Sequence, residues 1–187
     1  MYVVKRSHQN PVLIPERNHY WEAFATFNMS TIKKGNEIYG LYRAISAEDA
    51  LQKPKNISTI GIGKSKNGIS FTERKKFIFP EKKWEKFGCE DPRVTFFEEK
   101  YYIFYTALSV YPFSAEGIKV AVAVSEDLKT VEEKHLVTPF NAKAMTLFPE
   151  RINGKILVTF SYHTDRPPAQ TVIVELDEIE DLWNKDF

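Results

Sequence analysis

The sequence predicts an all-β protein, a β-propeller portion built from repeated antiparallel hairpins. Three observations carry this. Short segments rich in Val, Ile, Tyr and Phe recur, bounded by Gly, Asn, Asp, Lys or Pro. No long stretch has the period of an amphipathic helix. The segments also repeat in order: Tyr42 and Tyr105 end corresponding strands 63 positions apart, and Tyr105 and Phe160 are 55 apart.

The elements follow along the chain. Strands are expected over residues 37–44, 59–63, 94–97, 101–107, 118–124, 155–161 and 171–176. The turn Gly35-Asn36 precedes the strand ending Leu41-Tyr42-Arg43-Ala44. Glu98-Glu99-Lys100 precedes the one ending Phe104-Tyr105-Thr106-Ala107, and Asn153-Gly154-Lys155 the one ending Thr159-Phe160-Ser161-Tyr162. Second strands match as well, with Ser65 and Ser125 placed 60 positions apart. A repeat of about 50–60 residues made of short antiparallel strands describes propeller blades, the alternative being an ordinary β-sandwich. The one helical candidate is 177–183, about two turns at most. Two and a half to three blades are expected, too few for a closed ring, so 1–187 is expected to be the N-terminal part of a single propeller domain. Uncovered sheet edges then imply a homo-oligomer or a complementing C-terminal half.

Composition narrows function. Apolar residues at 43% and charged residues at 27% describe a globular chain with a sizeable core. A net charge of +1 leaves no electrostatic footprint for nucleic acid or an anionic membrane, and no apolar run approaches membrane-spanning length. The single cysteine, Cys89, forms no intrachain disulfide and points to a reducing, cytoplasmic setting. Four scattered histidines give no paired-ligand spacing, so no metal site is expected.

The most informative segment is Gly88-Cys89-Glu90-Asp91-Pro92-Arg93. Pro92 lacks an N–H and is expected to push Asp91 toward an extended conformation. A carboxyl group held beside a second acid and a cation suits a tuned acid or base, and equally a polar turn that opens a strand. Asn28, Asp91 and Glu150 each precede a hairpin, which would place them at one end of a central channel.

These residues, taken together, resemble glycoside hydrolase family 130, five-bladed β-propeller enzymes that break β-mannosidic linkages. The resemblance rests on Asn10-Pro11-Val12-Leu13, Trp21-Glu22-Ala23 with Phe27-Asn28, Leu41-Tyr42-Arg43-Ala44, Gly88 to Val94, Tyr105-Thr106-Ala107 and Leu147 to Lys155. It covers about the first half of a family member. It implies that Asp91 is the general acid, its proton passing through a hydroxyl of the mannosyl unit, while phosphate or water attacks the opposite face with inversion. Asn28, Arg43, Glu90, Arg93 and Glu150 become sugar-binding candidates, and Arg151 and Arg166 phosphate candidates. The substrate is an oligosaccharide and inorganic phosphate a candidate co-substrate, with no other cofactor. Phosphorylase members often carry a His-Arg-Pro-like segment after the third hairpin strand, where this chain has Ser161-Tyr162-His163-Thr164-Asp165-Arg166-Pro167-Pro168. Phosphorolysis and hydrolysis both stay open, as does a non-catalytic carbohydrate-binding half-propeller that needs a partner chain.

Overall fold

The structure is a computed structural model that describes residues 3, 5, 7–47 and 57–184. Among these, eleven strands form successive antiparallel meanders. The first meander is β1 (Ala25–Lys34), β2 (Glu37–Ile45), β3 (Ser58–Ser65) and β4 (Thr72–Ile78). The second is β5 (Gly88–Phe97), β6 (Lys100–Leu108), β7 (Ile118–Ser125) and β8 (Glu133–Leu136). The third is β9 (Ala142–Leu147), β10 (Ile156–Tyr162) and β11 (Gln170–Leu176). One parallel bridge, Ser58 to Gly88, ties the first meander to the second.

Each meander begins with a two-residue hairpin at a turn expected from the sequence. Lys34 pairs with Glu37, Phe97 with Lys100 and Ile152 with Lys155. Such turns need positive φ, which Gly35 (60°), Glu98 and Glu99 (45° and 66°), and Asn153 and Gly154 (52° and 79°) supply.

The middle meander is buried on both faces, and the two-residue period of its strands sorts the side chains. Tyr101, Ile103, Tyr105 and Ala107 of β6, with Ala121 and Ala123 of β7, pack toward Leu41, Ile60 and Ile62 of the first meander. Tyr102 and Phe104, with Val120, Val122 and Val124, pack toward Leu147, Ile156, Val158 and Phe160 of the third. A strand apolar on both sides reads as a continuous run, which is why β6 and β7 stand out in the sequence. Fully burying a side chain such as Phe104, 0% exposed, contributes about 1.5–3 kcal/mol.

Two expectations are corrected. The helix expected over 177–183 is one turn, Asp181–Asn184, because the segment before it is a turn. Strands β1, β4, β8 and β9 were not expected. β4 and β8 are outer strands whose charged residues hide the alternation, and β1 and β9 carry bulges that break it.

Candidate active site

The first strand of every meander is bulged at the same place. In β1, Asn28 and Met29 stand between the paired residues Phe27 and Ser30, opposite Tyr42. In β5, Asp91 and Pro92 stand between Glu90 and Arg93, opposite Tyr105. In β9, Ala144 and Met145 stand between Lys143 and Thr146, opposite Phe160. The first bulge residue is left-handed each time, with φ of 52° at Asn28, 53° at Asp91 and 57° at Ala144. Asn and Asp tolerate that region better than other side chains because their short polar groups bond locally. The expected extended conformation of Asp91 is therefore overturned, since the bulge geometry outweighs the preference imposed by Pro92.

The bulges converge because β1 lies against β5, with the Val94 amide donating to Ser30 Oγ at 3.2 Å. Asn28 Nδ2 donates to Asp91 Oδ1 at 2.7 Å. Arg43 of β2 brings its guanidinium to the same oxygen at 3.8 Å and forms a close ion pair with Glu90. Ser58 completes the cluster, accepting from Arg43 Nε at 2.9 Å and donating to Glu90 Oε1 at 3.0 Å. The Arg43 guanidinium also covers the Phe27 ring at 4.7 Å, which fixes its plane.

The two acids differ. Glu90 is 13% exposed, and burial pushes its carboxyl above the usual carboxylate range, with Arg43 and then Ser58 pulling against that rise. Its Oε1 takes both the Arg43 guanidinium and the Ser58 hydroxyl. Asp91 is 36% exposed and lines a cavity of about 290 Å³ with Asn28, Met29, Ser30, Pro92 and Arg93. Asp91 is therefore the more accessible of the two carboxylates.

The structure thus gathers Asn28, Arg43, Glu90 and Asp91, with Arg93 on the cavity wall. The guanidinium that faces Asp91 is Arg43, distant in sequence, and not the adjacent Arg93. Glu150 lies elsewhere, exposed in the connection after β9, and the position matching Asp91 in the third meander is Ala144. Arg151 is also remote. It pairs with Glu98 in the β5–β6 turn at 2.7 Å and donates to the Asp177 carbonyl at 2.8 Å. Arg166 is 75% exposed in the β10–β11 connection, which starts opposite Ala142 and so belongs to the Asp91 end.

Sequence reasoning missed three contributors. Ser58 has no sequence signal. Lys143 flanks the third bulge, is exposed, and its charge reaches Glu90. The third is a buried glutamate behind each of the first two bulges. Glu22, 0% exposed, takes a hydrogen bond from Tyr42 at 2.7 Å and pairs with Arg74 at 2.6 Å. Glu85, also 0% exposed, takes one from Tyr105 at 2.5 Å and pairs with Lys134 at 3.0 Å. Burial raises both tyrosine hydroxyls well above their ordinary range, so they remain donors. The doublets Trp21-Glu22 and Trp84-Glu85, 63 positions apart, were the available signal. In the third meander Phe140 packs on Phe160 at 6.4 Å, so an apolar pair replaces the acid and tyrosine.

Glu16, His19 and Glu22 lie within 4.8 Å of one another and are the metal-like group among the described residues. The Arg74 guanidinium on Glu22 already supplies the positive charge there. Cys89 is buried beside Glu85, and burial pushes its thiol far up, which makes it inert. A larger cavity, about 450 Å³, lies on the seam between β4 and the β7–β8 connection. Two of its lysines are engaged, Lys75 by the Lys129 carbonyl and Lys134 by Glu81 and Glu85.

The glycoside hydrolase 130 family, described as beta-1,4-mannooligosaccharide phosphorylase, matches residues 4–178. A beta-1,2-mannobiose phosphorylase of Thermoanaerobacter sp. (strain X514) is 33% identical over 168 residues, 84% of this chain and 54% of the relative. A 1,2-beta-oligomannan phosphorylase of the same strain is 32% identical over 166 residues, 88% of this chain and 55% of the relative. The chain spans about half the length of these curated relatives. A solved glycosyl hydrolase from Bacteroides ovatus shares the fold with a TM-score of 0.74 at 24% identity, over 95% of this chain and 55% of that one.

Proposed function

Because the chain belongs to glycoside hydrolase family 130, we propose that it forms the acid-bearing part of a propeller enzyme that breaks β-mannosidic bonds by phosphorolysis, with inversion. The observation that carries this reading is Asp91: one carboxylate, accessible from a cavity, held by Asn28 and faced by Arg43.

In this reading Asp91 protonates the departing glycosidic oxygen, directly or through a hydroxyl of the mannosyl ring. Asn28 and Arg43 hold the Asp91 carboxyl, and Glu90 with Ser58 holds Arg43. Phosphate attacks the anomeric carbon from the opposite face, its oxygen forming the new bond as the old C–O bond breaks. Phosphate needs cations rather than a protein base. Lys143, which makes no ion pair among the described residues, and the exposed Arg166 are suited to that anion. Hydrolysis would instead need a carboxylate to activate water, and free mannose is the product that marks it. A beta-1,2-linked mannoside is the substrate class, by likeness to the two Thermoanaerobacter phosphorylases. Five blades, of which this chain supplies three meanders, are part of the proposal. So is a second copy or a complementing C-terminal half along β11, where Ile173 is 64% exposed, and light scattering measures it.

The test is to incubate the chain with beta-1,2-mannobiose, with and without inorganic phosphate. Mannose 1-phosphate is expected, and the Asp91→Asn variant, with an unchanged circular dichroism spectrum, is expected to make none. Free mannose independent of phosphate would assign hydrolysis, and undiminished turnover by Asp91→Asn would remove Asp91 from the mechanism.

A further inference from the structure

An aromatic cluster stands at the Asp91 end of the second meander, outside the site described above. Tyr111 and Phe113, in the connection between β6 and β7, are 39% and 49% exposed. Phe87, the residue before β5, completes the cluster. Ring centroids are 5.9 Å apart for Phe87 and Tyr111 and 5.4 Å apart for Tyr111 and Phe113, with interplanar angles of 37° and 82°. The four aromatic rings of β6 just below are buried, so exposure here is a local property. Adjoining exposed rings mark a binding surface more often than chance decoration.

The cluster is built on fixed backbone. The Ser109 amide donates to the Gly117 carbonyl at 2.9 Å and closes the base of the connection. Gly117 packs so closely that a Cβ there would stand 2.8 Å from Val110 Cβ. Asn141 Nδ2 donates to the Ala115 carbonyl at 2.9 Å, while its Oδ1 accepts from the Thr164 amide at 2.8 Å. One buried amide therefore couples this connection to the β10–β11 connection across the same end of the fold. The Phe87 amide, bonded to the Leu108 carbonyl at 2.8 Å, extends the β5–β6 ladder by one residue. Phe87 is four residues from Asp91, at most about 13 Å along an extended strand. Further rings of a sugar chain held at Asp91 span a distance of that order.

We propose that Phe87, Tyr111 and Phe113 form a subsite for the remainder of a β-mannan chain, beyond the linkage at Asp91, and that this subsite favours oligomannan over mannobiose. The proposal rests on the β-mannoside reading above. Its chemistry is the packing of the C–H faces of pyranose rings on aromatic faces, with tilted and perpendicular rings presenting differently oriented facets to a turning chain. The absence of charge on these three side chains suits a neutral ligand.

Isothermal titration calorimetry with beta-1,2-mannobiose and beta-1,2-mannotetraose tests it. The unmodified chain is expected to bind the tetraose about tenfold more tightly. The double variant Tyr111→Ala, Phe113→Ala is expected to keep its mannobiose affinity and lose the tetraose advantage, while Tyr111→Phe retains it. Equal affinity of the unmodified chain for both sugars, or an undiminished tetraose advantage in the double variant, overturns the subsite and leaves the Asp91 reading in place. No binding of either sugar by the unmodified chain overturns both. Loss of mannobiose binding in the double variant overturns the subsite in favour of a structural role for the rings.

Discussion

Asp91 takes its hydrogen bond from Asn28, the residue that fills its own place one repeat earlier, 63 positions away, at 2.7 Å. Both are left-handed first residues of a bulge, so the same backbone device aims one side chain at the other from neighbouring strands.

Removing this hydrogen bond should therefore reduce turnover without harming the fold. Asn28→Ala is expected to lower kcat by about tenfold to a hundredfold, the scale expected for a misplaced catalytic group. Melting temperature should fall by only a few degrees, the cost of about 1 kcal/mol for alanine at a φ of 52° at an exposed position. Unchanged kcat in a steady-state assay would show that Arg43 alone positions Asp91.

The buried glutamate behind the Asp91 bulge should govern acid stability. Burial raises the Glu85 carboxyl, but the Tyr105 hydroxyl, the Glu81 amide and Lys134 outweigh burial and hold it below the ordinary value. A carboxyl lowered in the folded state contributes stability above its unfolded value, near pH 4–5, and loses that contribution as pH falls through the folded one. Glu85→Gln should cost about 1–3 kcal/mol at neutral pH, because it removes the buried charge that accepts from Tyr105 and Lys134, while Glu81 still pairs with Lys134. It should also flatten the acid limb of a urea-denaturation series from pH 7 to pH 3.

Ala144 should be improvable. It holds φ of 57° with a β-carbon and without the short polar group that Asn28 and Asp91 carry in the equivalent bulges. Ala144→Gly is expected to gain about 1 kcal/mol, opposite in sign to the usual effect of glycine in a strand. A lowered denaturation midpoint in the variant would argue against the third bulge.

Gly61 should not tolerate a side chain. A Cβ there would stand 2.7 Å from both the Trp21 ring and Tyr42, and Tyr42 faces the Asn28 bulge and donates to Glu22. Gly61→Ala is expected to destabilise by about 1–3 kcal/mol, as overpacking does, and to lower turnover through the displaced Asn28. Thermal melting and the phosphorolysis assay measure the two effects separately.

The strands that the sequence displays are those buried on both faces. β6 and β7 are rich in Tyr, Ile, Phe, Val and Ala along their middles because each face meets a neighbouring meander. The strands it hides are of two kinds: β4 and β8 are outer and charged, whereas β1 and β9, like the start of β5, carry bulges. These bulges shift the two-residue period, so Asn28 and Asp91 look like turn residues although both lie within strands. The same shift explains Arg93. Two residues from Asp91 on a regular strand, it would share its face, but the intervening bulge residue breaks that alternation, and Arg43 takes the place beside the acid.

Local chemistry along the chain was enough to specify the hairpins, the repeat near sixty residues and the identity of Asp91 as an acid worth attention. Hairpin turns and strand periods are short-range properties, written in adjacent residues. Which cation meets Asp91, that Ser58 joins Arg43 to Glu90, and that Glu150 and Arg151 lie away from the acid depended on the stacking of meanders. Those contacts join residues tens of positions apart through bulges and sheet packing, and no spacing along the chain encodes which of two guanidiniums a carboxylate will face.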